Sequence, residues 1–418
     1  MTTEPTAGAL PREPLGDPRL LRLVVGQGLA GLVDALFLIW LTLFVLELSE
    51  PGIATGLVLV AAALPRAALL LPAGVLVDRL GPARVVTGAS WLRFAVLLAL
   101  CALVTFTSPS VTAVALLAAL LGVADAAYFP AALALLPAVV PTEKLPRVNA
   151  LVQGAESGGD LVGPAVAAGV IAAVGFDATL GGIAAMAALA AVALDTFVRA
   201  VRRGEGAGHA AGPDGIDGEQ SSSARALGAG LGYAWREPLV RGMLAAVALI
   251  NIAVVGPVIV GGAVLADQRL GGAGSLGVVL SGFGAGSLAG SLSAGGRPPA
   301  RRGWAVAGGV AAIGAGVAGL AAVTHVVAAT AVVSLVGLGS GFLGVVVVAT
   351  LQERVPKHLL GRVLSLVVLA TVAFDPLSYL IAGVLLPYGT TTLFLVCGSA
   401  VLAGAALVAA SPAIRSLR

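Results

Sequence analysis

The chain has 418 residues, 58% of them hydrophobic and only 11% charged, with a mean hydropathy of +1.03 and a formal charge of +3. A soluble domain carries roughly 25% charged residues, so this composition excludes a water-covered globule and predicts an integral membrane protein. Cys101 and Cys397 lie inside apolar runs and imply no disulfide framework, and His209, His325 and His358 do not cluster as a metal site would.

The first twenty residues are polar and Pro-rich, and the first apolar run is long and carries Asp34 near its middle. Neither feature suits a cleaved signal peptide, so the start of the chain reads as a cytoplasmic tail. A span needs about 20 mostly apolar residues. Twelve such runs are predicted, near 20–46, 53–76, 85–106, 110–134, 148–174, 178–199, 239–265, 273–293, 304–323, 326–350, 362–386 and 390–411. Each must be helical, because lipid offers no partner to open backbone groups. The runs fall six and six about a segment rich in Gly, Ser and acid, with Gly212-Pro213-Asp214-Gly215 and Ser221-Ser222-Ser223. That segment reads as a flexible linker, except that Ala224 to Arg236 reads as an amphipathic lead into the seventh span. The predicted organisation is a tail over 1–19, a six-helix bundle over 20–200, a linker over 201–236, a second bundle over 237–411 and a tail over 412–418.

Basic residues orient the spans. With the N-terminus inside, all 24 Lys and Arg except Arg66, Arg93 and Arg269 fall on the cytoplasmic side. Both termini are therefore predicted to be cytoplasmic. The halves also repeat. Val140-Pro141, Leu145, Arg147 and Val148 recur as Val355-Pro356, Leu360, Arg362 and Val363, always 215 residues on, and the same offset carries Asp160 onto Asp375. Asp17-Pro18 with Arg22 corresponds likewise to Glu237-Pro238 with Arg241. Two six-span halves with equivalent loops suit a parallel-repeat transporter.

Between the second and third spans lies Gly74-Val75-Leu76-Val77-Asp78-Arg79-Leu80-Gly81-Pro82-Ala83-Arg84. It reads as a tight turn in which Gly74 and Gly81 allow close approach or unusual φ, and Asp78 caps a helix or pairs with an arginine. The pattern G-x-L-x-D-R-x-G-x-x-R resembles the signature of major facilitator superfamily transporters. Leu64-Pro65-Arg66, Ala124-Asp125-Ala126, Leu136 to Pro141 and Arg147-Val148-Asn149-Ala150 resemble the drug:proton antiporter branch that includes macrolide-efflux and enterobactin-export proteins. The spacing of Gly159 to Gly163-Pro164 resembles the antiporter motif of exporters. The sequence departs from that motif at Ala167-Ala168, where two glycines are usual, and at Ala150, where an upstream glycine is common. The counterpart turn near 290–303 keeps Gly290, Leu292 and arginines but has no Asp. The resemblance implies an all-α integral membrane fold of twelve transmembrane helices in two pseudo-symmetric bundles. It also implies that Asp78 helps to hold the cytoplasmic face shut in the outward-open state.

Charges inside spans are costly, at least about 2.5–3.5 kcal/mol at the bilayer centre, and mark functional positions. Asp34, Arg66, Asp125, Glu156, Asp160 and Asp375 are the candidates for proton coupling and the substrate cavity. Glu156 and Asp160 are four residues apart and share a helix face. Two carboxylates so placed disfavour joint ionisation. Asp375 precedes Pro376, where the helix should kink or open. Arg66 reads as the one basic residue near mid-depth, either neutralising a carboxylate such as Asp34 or serving the cavity. Arg93 reads as lying near the cytoplasmic face, in a network around Asp78. Asp195 and Arg199 form an i,i+4 pair, and Glu47 and Glu50 read as solvated.

Gly339-Ser340-Gly341-Phe342-Leu343-Gly344 spells a nucleotide-type glycine pattern but lies inside a span, where close helix packing accounts for it. No P-loop lysine motif occurs. The expectation is a secondary transporter of the cell membrane and not an enzyme, without cofactor or nucleic-acid partner, monomeric, exchanging protons for a small amphipathic compound across the bilayer. A proton-coupled importer of a small solute and a non-transporting receptor or scaffold are the alternatives. The surplus of acids over bases near mid-depth points to protonatable carboxylates, a cationic substrate, or both.

Overall fold

The computed structural model describes residues 18–140, 145–205, 231–296 and 301–415, and these residues form helices and short turns with no strand. The N-terminal half contains α1 (Pro18–Leu48), α2 (Ile53–Leu80), α3 (Pro82–Phe106), α4 (Val111–Val139) and α5 (Leu145–Glu205). The C-terminal half begins with α6 (Pro238–Gly256), a π-helical turn at Pro257–Gly261 and α7 (Gly262–Arg269). It continues with α8 (Ala273–Gly296), α9 (Arg302–Gly319), α10 (Val326–Arg354), α11 (Lys357–Val372), α12 (Asp375–Leu385), α13 (Thr390–Ala410) and α14 (Pro412–Arg415).

Eleven continuous helical runs among the described residues are long and apolar enough to cross a membrane. One of them is double. The 61 residues of α5 would extend roughly 90 Å at 1.5 Å per residue, about three times the hydrocarbon core. The helix is broken at Gly175, which adopts φ 82° and ψ 177°. Only glycine takes that conformation without strain. The two arms are the fifth and sixth spans, which makes twelve crossings and leaves Pro18 and Arg415 at the same end of the bundle. Of the 201–236 segment, 201–205 continue α5 and 231–236 form a short helix; the rest lies outside the described residues.

The internal repeat has a structural counterpart. Val140 ends α4 and Val355 ends α10, each in extended backbone, with φ −106° and −84°. Both residues close a span and turn the chain toward the next one.

Small residues set the packing, as expected where lipid removes the hydrophobic drive between helices. Along α8 and α10 the backbones nearly touch. A Cβ built on Gly286 would fall 2.0 Å from the Ser334 carbonyl oxygen, and one on Gly341 would fall 2.0 Å from that of Ser287. The glycine pattern at 339–344 is thus a packing feature at Gly339 and Gly341. The two halves meet closely in two places. Gly56 of α2 faces Gly383 of α12, and Gly277 and Gly284 of α8 face the Leu161–Ala168 stretch of α5. These contacts run from mid-depth to the end opposite the described termini.

The turn between α2 and α3 is tighter than its charge pattern suggests. Gly74 to Leu80 stay helical, and the reversal is made by Gly81 alone, at φ 83°, with Pro82 starting α3. Gly74 neither takes a positive φ nor approaches another segment. Asp78 does not cap α3, whose N-cap is Gly81 without a side-chain bond. Asp78, Arg79 and Arg84 are exposed.

Candidate functional site

Four charged side chains lie within about a residue of their helix midpoints: Asp34 on α1, Arg66 on α2, Arg93 on α3 and Asp125 on α4. Folding brings three of them together. The Arg93 guanidinium forms an ion pair with the Asp34 carboxylate, and its Nε lies 2.8 Å from Asp125 Oδ1. The second contact is an ion pair without an aligned N–H···O bond, since neither Arg93 Nε nor Asp125 Oδ1 has a hydrogen-bond partner. The Tyr128 ring covers the guanidinium at 4.8 Å, a cation–π contact that strengthens when water is excluded.

Arg93 was expected near the cytoplasmic face with Asp78, and the structure corrects this. It lies about eleven residues, roughly 17 Å, beyond Pro82 along α3. It therefore reaches the level of Asp34 and Asp125, and its side chain is 4% exposed. Of the two alternatives for Arg66, the pairing with Asp34 does not occur, because Asp34 pairs with Arg93. Sequence held one usable signal: the depth of Arg93 counted from the helix start rather than from the first apolar residue.

A cavity of about 350 Å³ opens in front of this cluster. Asp34, Arg66, Asp125 and Glu156 line it from the N-terminal half, and Asp375 lines it from the other half. Asp34 is the most open of the cluster, with 41% of its side chain exposed against 18% for Asp125. Arg66 stands across from them with its guanidinium 5.6 Å from the Phe129 ring and its Nε buried without a hydrogen bond. It lies within electrostatic reach of Asp375. Glu156 packs against Gly31 of α1, where a Cβ would leave only 3.3 Å to its Cγ. Gln27, Tyr128, Phe129 and Tyr379 add polar and aromatic surface to the wall. Sequence reasoning missed these four, because neutral polar and aromatic residues carry no insertion penalty that marks them.

Asp375 sits where the eleventh span breaks. The helix stops at Val372, turns through Ala373 and Phe374, and restarts at Asp375 with Pro376 in its first turn. Proline lacks the N–H that would continue α11. From the restarted segment, Ser378 Oγ accepts a bond from the Gly256 N–H at 2.7 Å, next to the π-helical turn of the seventh span. Asp160 lies on α5 at the equivalent position of the first half, but its side chain is outside the described residues. Gly159 and Gly163 pack α5 against α1: a Cβ on Gly159 would stand 3.3 Å from the Leu32 backbone, and one on Gly163 would stand 2.7 Å from the Ala35 Cβ. Pro164 lies within the helix beside them.

Asp195 and Arg199 pair at 2.5 Å within α5, as expected, and Glu47 and Glu50 are exposed. Among the described residues no group of three or more metal-ligating side chains occurs.

Comparison with known proteins places this geometry. The chain matches the family model described as Major Facilitator Superfamily over residues 23–374. It is 30% identical over 414 residues to a Sinorhizobium fredii protein described as an uncharacterized MFS-type transporter, with 94% of this chain and 95% of the relative covered. Among solved structures it resembles a mutant of the peptide transporter POT in complex with alafosfalin, with a TM-score of 0.76, 15% identity, and 97% and 96% of the two chains covered. It also resembles a mutant of the nucleoside transporter NupG, with a TM-score of 0.70, 13% identity, and 94% and 99% covered. At such identities the structural likeness carries the fold. With its sequence matched over most of its length and its twelve crossings arranged in two halves about a charged cavity, this chain belongs to the major facilitator superfamily and is a multi-pass membrane transporter of that kind.

Proposed function

We propose that the protein exports a small amphipathic compound (a drug, an antibiotic or a siderophore-like metabolite) in exchange for protons, by alternating access, as a member of the drug:proton antiporter branch. The observation that carries this reading is the mid-depth cluster in which Asp34 and Asp125 share Arg93 beside a cavity that Asp375 enters from the other half. One arginine cannot neutralise two carboxylates. Glu156 aside, the cavity wall and the cluster behind it hold Asp34, Asp125 and Asp375 against Arg66 and Arg93. The surplus negative charge is relieved by a proton or by a cationic substrate, and competition between the two is the simplest form of antiport.

Asp34 is the preferred proton carrier, because it is the more open partner of Arg93, with Asp375 next by its place at the helix break and Asp160 by the repeat. Protonation of Asp34 weakens its hold on Arg93 and changes which packing of α1 against α3 costs less. Both termini and the 201–236 linker face the cytoplasm in this reading, following the arginine distribution, and the monomer in the cell membrane is the working unit. The Gly56–Gly383 contact then closes the outer end, and the end bearing Asp78 is the open one. That accounts for an Asp78 with no ion-pair partner among the described residues.

The test is flux in everted vesicles against a panel of hydrophobic cations and antibiotics. An acid lumen should drive uptake of at least one of them, and a protonophore should stop it. Uptake driven only in right-side-out vesicles would assign import, and uptake that ignores the pH gradient would remove proton coupling.

A further inference from the structure

A second cavity of about 240 Å³ lies wholly within the C-terminal half, among α6, α8, α9, α10 and α11. No charged residue lines it. Its walls are mainly aliphatic, with Phe283 and three neutral polar side chains, Asn251, Ser340 and Thr371. Two of these are turned back on their own helices: Asn251 Nδ2 donates to the Val247 carbonyl at 2.9 Å, and Thr371 Oγ1 donates to that of Val368 at 2.7 Å. Thr371 is left with hydroxyl lone pairs, and Asn251 with its carbonyl oxygen and a second N–H. The charged cavity and this one come together at the break in the eleventh span. Thr371 lines the apolar cavity, while its neighbour Val372, and Asp375 beyond the break, line the charged one.

We infer that the two cavities are two parts of one binding site, divided by residues 371–375: the charged cavity takes the cationic end of a substrate and the uncharged cavity takes its apolar body. The inference rests on the charged cavity being the transport site and adds what the second half contributes to recognition. Charge fixes the head because Asp34, Asp125, Glu156 and Asp375 cluster on one side of the partition. The body is selected by size and apolarity, because burial of hydrocarbon in a cavity without competing polar groups scales with area removed from water. Ala373 and Phe374 keep right-handed backbone at the break, so the partition is a single helix turn thick, and a substrate that joins the two cavities lies beside residues 371–375.

Gly344 supplies a clean test. It lines the apolar cavity, and a Cβ added there meets no atom within 4 Å. The Cβ of Gly344→Leu therefore meets no neighbour, and the side chain takes up volume at the cavity wall. The experiment measures binding of n-alkyltrimethylammonium ions of rising chain length to purified wild type and Gly344→Leu. Partition into detergent is the same for both proteins, so the difference between them reads the cavity. In the wild type, affinity should rise about fourfold per methylene, the factor corresponding to about 0.8 kcal/mol, until the cavity is full. A leucine side chain brings four carbons, so in Gly344→Leu the gain should stop about four methylenes earlier. Binding of tetramethylammonium should be unchanged. Val348→Phe, at another position of the same wall, should shorten the series in the same direction and stands in if Gly344→Leu does not fold. Asp375→Asn should weaken every member of the series by a common factor and leave the slope unchanged. Equal slopes and equal plateaus in wild type and both filled variants, with binding intact, would overturn the two-part site and leave the charged cavity as the transport site. Failure of the wild type to bind any member would overturn both.

Discussion

The two halves share a plan and differ in how they hold their interior. The N-terminal half is held at mid-depth by charge: Arg93 is enclosed by Asp34, Asp125 and Tyr128, and Arg66 stands over Phe129 nearby. The C-terminal half is held by backbone contact, with α8 against α10 through Gly286, Gly337 and Gly341, and brings one acid, Asp375, to the charged cavity. The difference teaches a division of labour within a duplicated fold. An ion pair in a low-dielectric interior responds to protonation, whereas a glycine-lined seam responds to nothing but volume. In the proposed exchange with protons, the first half supplies the ion-paired cluster and the second supplies Asp375 and an uncharged cavity.

Four substitutions break or sharpen that contrast, ranked by the stability they remove. Arg93→Ala leaves two carboxylates facing each other without a counter-charge, and breaking a buried pair in this way costs about 3–5 kcal/mol. Thermal unfolding in detergent should show the largest loss of any single change in the charged half. A melting temperature close to wild type would mean that the pairing does not hold the half together. Next comes Gly286→Ala, which puts a methyl group into the Ser334 backbone. Overpacking of that kind costs about 1–3 kcal/mol. The loss should be independent of pH, because the contact is a methyl group against backbone, and a pH-dependent melting shift would blur the division.

Asp34→Asn should cost less, because Arg93 keeps Asp125 as a partner. Its effect is on coupling: flux driven by a pH gradient should fall to background while substrate binding persists. Full pH-driven transport in this variant would remove Asp34 from the mechanism. Adding Arg66→Gln should not restore the lost function, since the structure gives Asp34 to Arg93; restoration would reinstate an Asp34–Arg66 pair. The smallest stability change is expected for Asp78→Asn, within about 0.5 kcal/mol as for an exposed position without a structural partner. Transport should nevertheless slow, and turnover equal to wild type would reduce the 74–84 stretch to a connecting turn. Impermeant labelling of a cysteine placed in the 201–236 linker of a Cys-free variant checks the orientation on which this last expectation depends.

Much of the plan could be read from the chain alone. Each span is long enough and apolar enough to declare itself, because lipid imposes the same requirement on every crossing segment regardless of its neighbours. The 215-residue offset announced two equivalent halves, and Asp375-Pro376 announced a broken eleventh span. Asp34, Arg66, Asp125, Glu156 and Asp375 stood out because a charge in hydrocarbon needs a reason, and folding gathers all five at one cavity. The exceptions are as informative. Gly74 belongs to a helix, and one residue, Gly81, makes the turn.

Which charge meets which was decided only by tertiary structure. Asp34 and Arg93 are 59 residues apart on different helices, and their meeting depends on the rotation and depth of both. A soluble helix advertises its inward face by an apolar stripe. In a membrane the lipid-facing and protein-facing sides are both apolar, so the sequence carries no such stripe and leaves rotation open. Small residues set it, through contacts such as Gly159 on Leu32 and Gly163 on Ala35, whose consequences appear only when two helices are brought together. The composition determined that this chain lives in a bilayer as two bundles of helices. The packing of those helices determined that Arg93, and not Arg66, sits between Asp34 and Asp125, and that the cavities on either side of residues 371–375 differ in charge.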